Sequence, residues 1–200
     1  MLQKQKSEFT KELILNESFK LFYKDGFKAT SVDKIMVKTQ LTKGAFYHHY
    51  KNKKELGLAV IKLKIQQRVY DAMISPLYNS GNVIEILKST FIDRIKSFPI
   101  QEKQSGCPMN NFINELGDTE KVYQIALKNI IEEWKSALIQ LIERGKKDNS
   151  INQSISNKST AIYLISSFEG IRGIRKLYDN DEILDQFMLG LSTYINHIKA

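Results

Sequence analysis

The sequence predicts an all-α protein of about nine helices. Apolar residues recur close to the 3.6-residue period of an α-helix through most of the 200 residues, and no alternating pattern of useful length indicates a β-strand. The chain contains only three prolines and ten glycines, so few positions oppose helix formation. Its content of 42% apolar and 26% charged residues is typical of a globular protein.

The first two predicted helices are bounded by residues that favour helix ends. Residues 8–24 carry apolar groups at helical spacing, and Gly26 follows as a C-terminal stop. Thr30 and Ser31 precede the next apolar positions, and either hydroxyl can accept a hydrogen bond from the free amides of a helix start. A short second helix is therefore predicted over about residues 31–38.

Two further capping signals open the third and fourth helices. Thr42 is a typical N-cap for a helix through residues 43–48. Asn52 and Glu55 resemble a capping box, in which the cap side chain and a carboxylate three residues later both bind free amides. They predict a long fourth helix that extends to about Met73.

Pro76 is predicted to end the fourth helix, because proline has no backbone N–H to continue it. Beyond Pro76, the spacing of apolar residues predicts further helices at about residues 82–97, 108–116, 119–145, 157–178 and 181–198. The polar segments 99–106 and 146–157 are predicted to be links between helices.

The positive charge is concentrated near the N-terminus. The formal net charge is +8, and residues 1–55 hold twelve lysines against six carboxylates. This asymmetry indicates a basic N-terminal domain, residues 1–55, that binds a polyanion. Residues 56–200 are nearly neutral and are predicted to form a second domain with a different task.

The first domain has the predicted pattern of a helix-turn-helix, in which a second short helix enters the major groove of DNA. Thr42 and Lys43 lie at the start of that helix, where free amides and the helix dipole favour a phosphate. Gly44 has no side chain, so the backbone can approach DNA closely. Phe46 and Tyr50 are predicted to anchor the helix in the core.

Residues 26–56 resemble the DNA-binding domain of the TetR family of transcriptional regulators. The matching positions are Gly26, Phe27, Thr30, Ser31, Val32, Ile35, the ten residues 41–50, Lys53 and Leu56. The resemblance implies a regulator, not an enzyme, that binds a palindromic operator in double-stranded DNA as a homodimer. A small-molecule inducer in the C-terminal domain would release the operator, and no cofactor is implied. The implied DNA contacts are Thr30, Ser31, Thr42, Lys43, Gly44, Tyr47, His48 and Lys53.

Gln40 departs from the family pattern, since it stands where glycine is usual in the turn. An L-residue such as glutamine adopts a positive φ only at some strain. We therefore expect a slightly altered turn and a retained fold.

The C-terminal region has fewer specific motifs. By the resemblance, its last two helices form the four-helix bundle of a dimer, with candidate interface residues Ile162, Ser166, Gly170, Gly173, Ile174, Phe187 and Leu191. The candidate residues for ligand binding or sensing are Cys107, Asn110, Asn111, Trp134, Tyr163, Phe168 and Arg172.

Cys107 is the single cysteine of the chain, and it precedes a predicted helix. Residues 105–112 are similar to a NemR-like subset of the family, which includes regulators of quinone, aldehyde and electrophile detoxification. A helix dipole would lower the pKa of the thiol and make Cys107 a sensor of electrophiles or oxidants. The alternative is a small inert residue that packs in the pocket or core. The sequence leaves both interpretations open.

Other classes of function are disfavoured. His48 and His49 point about 100° apart on a helix and have no third ligand nearby, which disfavours a metal site. An enzyme with Cys107 as nucleophile lacks a nearby histidine base. A non-specific nucleic-acid-binding protein remains an alternative, and it would show no response to a ligand. The N-terminus has no signal-peptide core and no apolar run reaches the roughly 20 residues of a membrane span, so a soluble, cytoplasmic protein is expected.

Overall fold

A computed structural model describes residues 2–200 of the chain, and its all-α architecture confirms the predicted class. Within this range, Ile151 and Lys199 form an isolated antiparallel β-bridge. The helices are α1 (Leu2–Asp25), α2 (Val32–Thr39), α3 (Lys43–His49), α4 (residues 53–78), α5 (residues 83–96), α6 (Ile100–Ser105), α7 (Pro108–Leu116), α8 (Lys121–Lys147), α9 (residues 157–177) and α10 (Glu182–His197). The same range contains no helix with the length and hydropathy that a bilayer crossing requires.

The chain packs as two compact units that are discontinuous in sequence. Unit 1 holds the described residues up to Gln67 together with Asn111–Leu127, and unit 2 holds Arg68–Asn110 and Lys128–Ala200. The predicted domain boundary at residue 55 therefore does not coincide with the spatial division. Helices α4, α7 and α8 each pass from one unit to the other.

Unit 1 begins with helix α1, which ends just before Gly26 as predicted. Helix α1 starts at Leu2, six residues before the predicted start, and ends at Asp25. Gly26 follows with a φ of +89°, a left-handed conformation that glycine adopts without a steric penalty. Ser31 then caps α2, since its side chain accepts a hydrogen bond from the Lys34 amide.

An aromatic cluster fills the core of unit 1. The ring centroids of Phe22 and Phe27 are 4.9 Å apart, and Phe112 lies 6.2 and 6.4 Å from them. Tyr123 packs edge-on against Phe27 at 5.8 Å. Gly57 lies against the same cluster, because a Cβ atom at that position would be 2.6 Å from the Phe27 ring. Residues of α7 and α8 thus complete the core around α1 and the following turn.

The turn between α2 and α3 contains a strained residue. Gln40 has φ +57° and ψ +31°, which is the left-handed region that L-residues visit at a cost. Its amide donates to Val37, and the Leu41 amide donates to Met36. The fold is retained as expected, and the turn places Gln40 in the left-handed conformation; the expected alteration of the turn stays a prediction.

We expect Gln40→Gly to raise the free energy of unfolding by about 0.5–1 kcal/mol, because glycine removes the left-handed penalty at an exposed position. Urea denaturation followed by circular dichroism would measure the change. Gln40→Ala is the control, since alanine keeps the penalty and should give no stabilisation. An equal gain from both variants would contradict the assignment of strain to this backbone position.

Helix α4 is longer and less regular than predicted. It begins as the α-helix Lys53–Val60, contains π-helical segments at Ile61–Ile65 and Tyr70–Ile74, and ends as the 3-10 turn Ser75–Tyr78. Pro76 lies in that last turn, where the missing amide interrupts no α-helical hydrogen bond. The helix therefore ends two residues beyond the predicted proline stop.

Helix α6 corrects the prediction that residues 99–106 form a polar link. Pro99 stands at its N-cap and Gly106, with φ +76°, at its C-cap. Ile100–Ser105 contains no buried residue, so the segment has no apolar period by which the helix could be recognised.

Unit 2 has its own aromatic core. Trp134 of α8 lies 6.1 Å from Phe91 of α5 and 5.9 Å from Phe168 of α9, between ring centroids. Phe91 and Phe168 also meet edge-on at 5.6 Å. The three side chains have no exposed surface, and they hold α5, α8 and α9 together.

Candidate functional site

Helix α3 presents a polar face to solvent and an aromatic face to the core. Phe46 is fully buried and Tyr50 is 3% exposed, and their ring centroids are 6.0 Å apart. The predicted division of this segment into anchors and exposed residues is thus visible in the structure. The exposed side chains or positions include Thr42, Lys43, Gly44, Tyr47 and His48.

The start of α3 is formed by a side-chain cap. The Thr42 hydroxyl accepts a hydrogen bond from the Ala45 amide at 3.2 Å, which leaves other free amides of the first turn facing outward. A Cβ atom on Gly44 would meet only the Thr42 hydroxyl, at 3.7 Å. The backbone of this turn is therefore open to a ligand or a phosphate.

Lys43 is exposed but already paired. Its ammonium lies 2.8 Å from the Asp33 carboxylate, and both side chains are more than 60% exposed. The hydrogen bond that Lys43 donates to Asp33, followed by the charge of Asp33, raises the pKa of Lys43. An exposed pair of this kind is weak, so the ammonium can exchange Asp33 for a phosphate.

Two predicted DNA contacts are engaged within unit 1. Thr30 has no exposed surface, and its hydroxyl donates to the Gly26 carbonyl at 2.7 Å. The prediction that Thr30 contacts DNA is therefore wrong: its side chain closes the turn between α1 and α2. Lys53 lies 4.5 Å from the centre of the Phe27 ring, where partial burial lowers its pKa. A phosphate contact by Lys53 would require it to leave that ring.

Sequence reasoning missed Glu115. The Phe27 amide donates to its carboxylate at 2.8 Å and the Lys28 amide at 2.6 Å. These amides belong to the turn that precedes α2, so Glu115 of α7 holds that turn in place. The partners are 87 and 88 residues apart in the sequence, and no local pattern links them.

The two adjacent histidines of α3 differ in their surroundings. Their ring centroids are 4.8 Å apart, and within residues 2–200 no group of three or more His, Cys, Asp or Glu side chains is arranged to hold a metal. Partial burial, with a contribution from His48, lowers the pKa of His49. His48 is the exposed member of the pair and remains a predicted DNA contact.

Comparisons with known proteins agree with this geometry. The description "Bacterial regulatory proteins, tetR family" belongs to the family model that matches residues 14–60. A second model, "Tetracyclin repressor-like, C-terminal domain", matches residues 87–191, which is more than half of the chain. The chain belongs to the TetR family of transcriptional regulators. Its activity is therefore that of a regulator and not of an enzyme.

Individual TetR-family relatives are similar over most of their length. The HTH-type transcriptional repressor DhaR of Mycobacterium sp. (strain GP1) is 25% identical over 88% of this chain and 86% of its own. The transposon Tn10 TetC protein of Escherichia coli is 29% identical over 72% of this chain and 71% of its own.

Solved TetR-family structures share the fold. A regulator from Chloroflexus aurantiacus J-10-FL has a TM-score of 0.87 at 23% identity and covers 98% of each chain. The reduced form of E. coli NemR has a TM-score of 0.78 at 20% identity over 96% of this chain and 97% of its own. At these identities the likeness extends to the fold alone, and membership of a NemR-like subset stays a prediction.

The surroundings of Cys107 favour the second of the two interpretations that the sequence leaves open, a packing residue. Cys107 is 3% exposed, and burial, aided by the charge of Glu169, raises the pKa of its thiol to about 12. The predicted lowering of the pKa by the helix dipole is therefore wrong. A buried thiol with a raised pKa carries little thiolate at neutral pH, which favours the interpretation of Cys107 as a packing group.

We expect the Cys107 thiol of the folded protein to react with iodoacetamide at pH 8 at least a hundredfold more slowly than in denaturant. The reason is that a thiol with a pKa of about 12 is almost entirely protonated at pH 8, and the thiolate is the nucleophile. Mass spectrometry of timed samples would give both rates. Equal rates with and without denaturant would contradict the burial of this thiol.

The other predicted ligand residues of this TetR-family protein lie in different surroundings. Trp134 and Phe168 belong to the unit 2 core, and Arg172, with a side chain only 10% exposed, lines a pocket in unit 2. Asn110 lies close to Gly173, within 3.8 Å of the position of a Cβ atom, whereas Asn111 belongs to unit 1.

Tyr163 is a correction among the predicted ligand residues. Its side chain is 49% exposed on α9, and its ring centroid is 4.4 Å from that of Tyr194 on α10. The residue therefore lies on the surface of unit 2 and not in a pocket.

The predicted dimer residues lie mainly on one surface of unit 2. Ile162 and Ile174 of α9 are 44% and 48% exposed, and Ser166 and Gly170 lie on the same exposed face. Gly173 and Phe187 are partly exposed. Leu191 is only 4% exposed, so its assignment to the interface is wrong and it belongs to the core.

Proposed function

We propose that the chain is a ligand-responsive repressor that binds a palindromic operator as a homodimer. Residues 1–55 supply the DNA-binding domain and residues 56–200 the ligand-binding and dimerisation domain. The proposal rests above all on α3, whose exposed face carries groups that bind phosphates and base edges while buried aromatic residues fix its position. The relative DhaR carries the name of a transcriptional repressor, which supports the direction of regulation.

The DNA contacts divide by chemistry. Ser31, Thr42, Lys43 and Tyr47 offer hydroxyl or ammonium groups to phosphates, which position the protein on the duplex. His48 lies one position further along α3, where its ring can reach a base edge in the major groove. Gly44 lets the helix approach closely, since nothing else lies within 4 Å of a Cβ at that position apart from Thr42.

Exposed apolar groups on α9 and α10 support the homodimer. Leu177 is 83% and Leu189 is 72% exposed, although burial of each from water would be favourable. A Cβ atom on Gly170 or Gly190 would meet nothing within 4 Å. These flat positions permit close approach of helices from a second copy of the chain. Light scattering of the purified protein measures whether it is a dimer.

The inducer acts through the conformation it binds. A palindromic operator has two half-sites. A dimer binds both only when its two reading helices, the α3 helix of each protomer, have the same spacing as the half-sites. A ligand that binds better to a conformation with a different spacing lowers operator affinity by population shift. Covalent sensing by Cys107 receives no support from the buried thiol, and a Cys107→Ser variant is expected to respond to the inducer as the parent chain does.

We expect Lys43→Ala to weaken operator binding by about 1 kcal/mol, because one phosphate contact is lost. The slope of log affinity against log salt should fall by about 1 in magnitude. Fluorescence anisotropy with labelled operator DNA measures both quantities. Lys158→Ala removes the same charge from an exposed position of α9 and should leave affinity and slope unchanged.

A gel-shift assay with the intergenic DNA upstream of the gene tests the whole proposal. The expected result is a discrete retarded band that survives competition by unrelated DNA. Absence of a band at low salt would overturn the proposal. Binding that unrelated DNA removes equally well, with a steep salt dependence, would favour a non-specific nucleic-acid-binding protein.

A further inference from the structure

Three arginines of unit 2 gather around one phenylalanine and one carboxylate. The guanidinium carbons of Arg172 and Arg94 lie 4.4 and 5.2 Å from the centre of the Phe98 ring. Glu102 of α6 forms an ion pair with Arg68 and lies 3.8 Å from Arg172. The three guanidinium groups therefore share the charge of Glu102.

This cluster has more positive than negative charge. Burial lowers the pKa of Arg94, Glu102 opposes the change, and Arg68 and Arg172 lower it further, as expected for cations placed near one another. The Arg94 Nε atom is buried and has no hydrogen-bond partner. An unsatisfied buried donor costs free energy, and the Glu102 Oε2 atom of the same cluster is likewise buried without a hydrogen-bond partner. The surplus of cations, and not a shortage of acceptors, therefore suits the cluster to a further anion.

The neighbouring charged side chains do not neutralise the excess positive charge of the cluster. Lys103 and Arg175 both pair with Asp181, which adds two cations and one carboxylate. Glu169 also faces Arg172, and burial raises its pKa. Even when Glu169 is counted as charged, the five cations of this group outnumber its three carboxylates. The excess charge among these described side chains therefore stays positive.

A pocket opens onto the cluster. It is lined by the apolar side chains of Ile95, Phe98 and Leu184 and by the charged side chains of Glu102, Lys103, Arg172 and Arg175. About 230 Å³ of space lies within it when open solvent is included, but its enclosed volume is only about 10 Å³, so a ligand would occupy the open mouth of the pocket and not an enclosed cavity. Apolar walls with a few charged groups at one end are typical of sites for small amphipathic ligands.

We propose that this pocket binds a small organic monocarboxylate, with the carboxylate on the Arg172 guanidinium and the apolar part against Phe98 and Leu184. The inference rests on the proposed function, because it gives the chemical class of the inducer. A guanidinium matches a carboxylate in geometry and donates two parallel hydrogen bonds to it. The carboxylate of the ligand adds a second negative charge, because Glu102 alone balances only one of the three guanidinium groups.

The binding test compares matched pairs of probes that differ in charge and little in shape. Isothermal titration calorimetry and thermal unfolding of the full chain would use benzoate against benzamide, and butyrate against butyramide, with inorganic phosphate as a further probe. We expect at least one carboxylate to bind and to raise the melting temperature, while its amide and phosphate do not. Equal effects of carboxylate and amide, or of carboxylate and phosphate, would overturn the proposal.

Two variants with opposite expected effects locate the site. Arg172→Gln should weaken carboxylate binding by about tenfold or more, as expected for loss of a charge-assisted pair. Glu102→Gln removes the competing carboxylate and should tighten binding, a gain that misfolding cannot produce. Lys158→Gln removes a charge elsewhere on α9 and should change nothing. Weaker binding by Glu102→Gln, or unchanged binding by Arg172→Gln, would exclude this pocket.

Operator binding is measured in parallel so that the two proposals can fail separately. A chain that retards operator DNA but binds no carboxylate retains the proposed function and overturns the ligand class. A chain that binds carboxylate through Arg172 but no DNA retains the pocket and overturns the function. If both proposals hold, the bound carboxylate lowers operator affinity, and it does so less in Arg172→Gln.

Discussion

Phe46→Ala should lower the free energy of unfolding by about 3–5 kcal/mol, the cost of truncating a fully buried phenylalanine. Phe46 has no exposed surface, and its ring packs 5.1 and 6.0 Å from those of Tyr47 and Tyr50. Since marginally stable domains have only about 5–15 kcal/mol in total, α3 should lose its fixed position. Urea denaturation measures the stability, and anisotropy with operator DNA measures the accompanying loss of affinity.

Matched variants separate the anchor from the surface of the same unit. Phe46→Leu keeps most of the apolar volume and should cost about 1–1.5 kcal/mol. Val37 is 79% exposed on α2, so Val37→Ala should stay within about 0.5 kcal/mol of the parent. If Phe46→Ala cost no more than Val37→Ala, the interpretation of α3 as a helix held by its buried face would be wrong.

Glu115→Ala is the second change with a large expected effect, a loss of about 2–3 kcal/mol in unfolding free energy. Its carboxylate accepts from the Phe27 and Lys28 amides at 2.8 and 2.6 Å, and hydrogen bonds to a charged group contribute about 1.5–3 kcal/mol. The turn before α2 would lose its external support. Operator affinity should therefore fall, although Glu115 lies far from the reading helix in sequence.

Two controls define what Glu115 contributes. Glu115→Gln retains one carbonyl oxygen and should lose about half as much stability, because only one amide keeps a good acceptor. Asn114 is the exposed neighbour on α7, and Asn114→Ala should have an effect below about 0.5 kcal/mol. Equal stabilities for Glu115→Ala and Asn114→Ala would show that the two hydrogen bonds do not hold the turn.

Local signals predicted the helix boundaries well. The caps Ser31, Thr42 and Asn52 each bind an amide three residues later, so the whole interaction lies within one short window. Gly26 likewise marks the end of α1 by its residue type, since glycine adopts the left-handed conformation found there. Helix ends can be predicted from the sequence because the capping side chain and the amide that it binds are only a few residues apart.

The errors arise where burial or distant packing decides. The place of Cys107 before a helix leaves a reactive thiol and an inert packing group both open, and only the packing of α9, which brings Glu169 beside it and removes water, favours the second. Thr30 has the right residue type for a phosphate contact, yet it faces inward. In the sequence, Glu115 resembles any surface carboxylate. Its role follows only from the packing of α7 against the turn before α2, whose amides it binds. Such placements depend on contacts between segments far apart in sequence, which periodicity does not encode.

The discontinuity of unit 1 has a consequence for protein synthesis. The ribosome synthesises the residues up to Gln67 first. The Arg68–Asn110 segment of unit 2 follows, and only afterwards comes Asn111–Leu127. At typical translation rates the last segment follows Gln67 by roughly several seconds. During that interval a nascent chain carries the reading helix without Glu115 or Phe112. The DNA-binding unit is therefore completed late, after most of the polypeptide has been made.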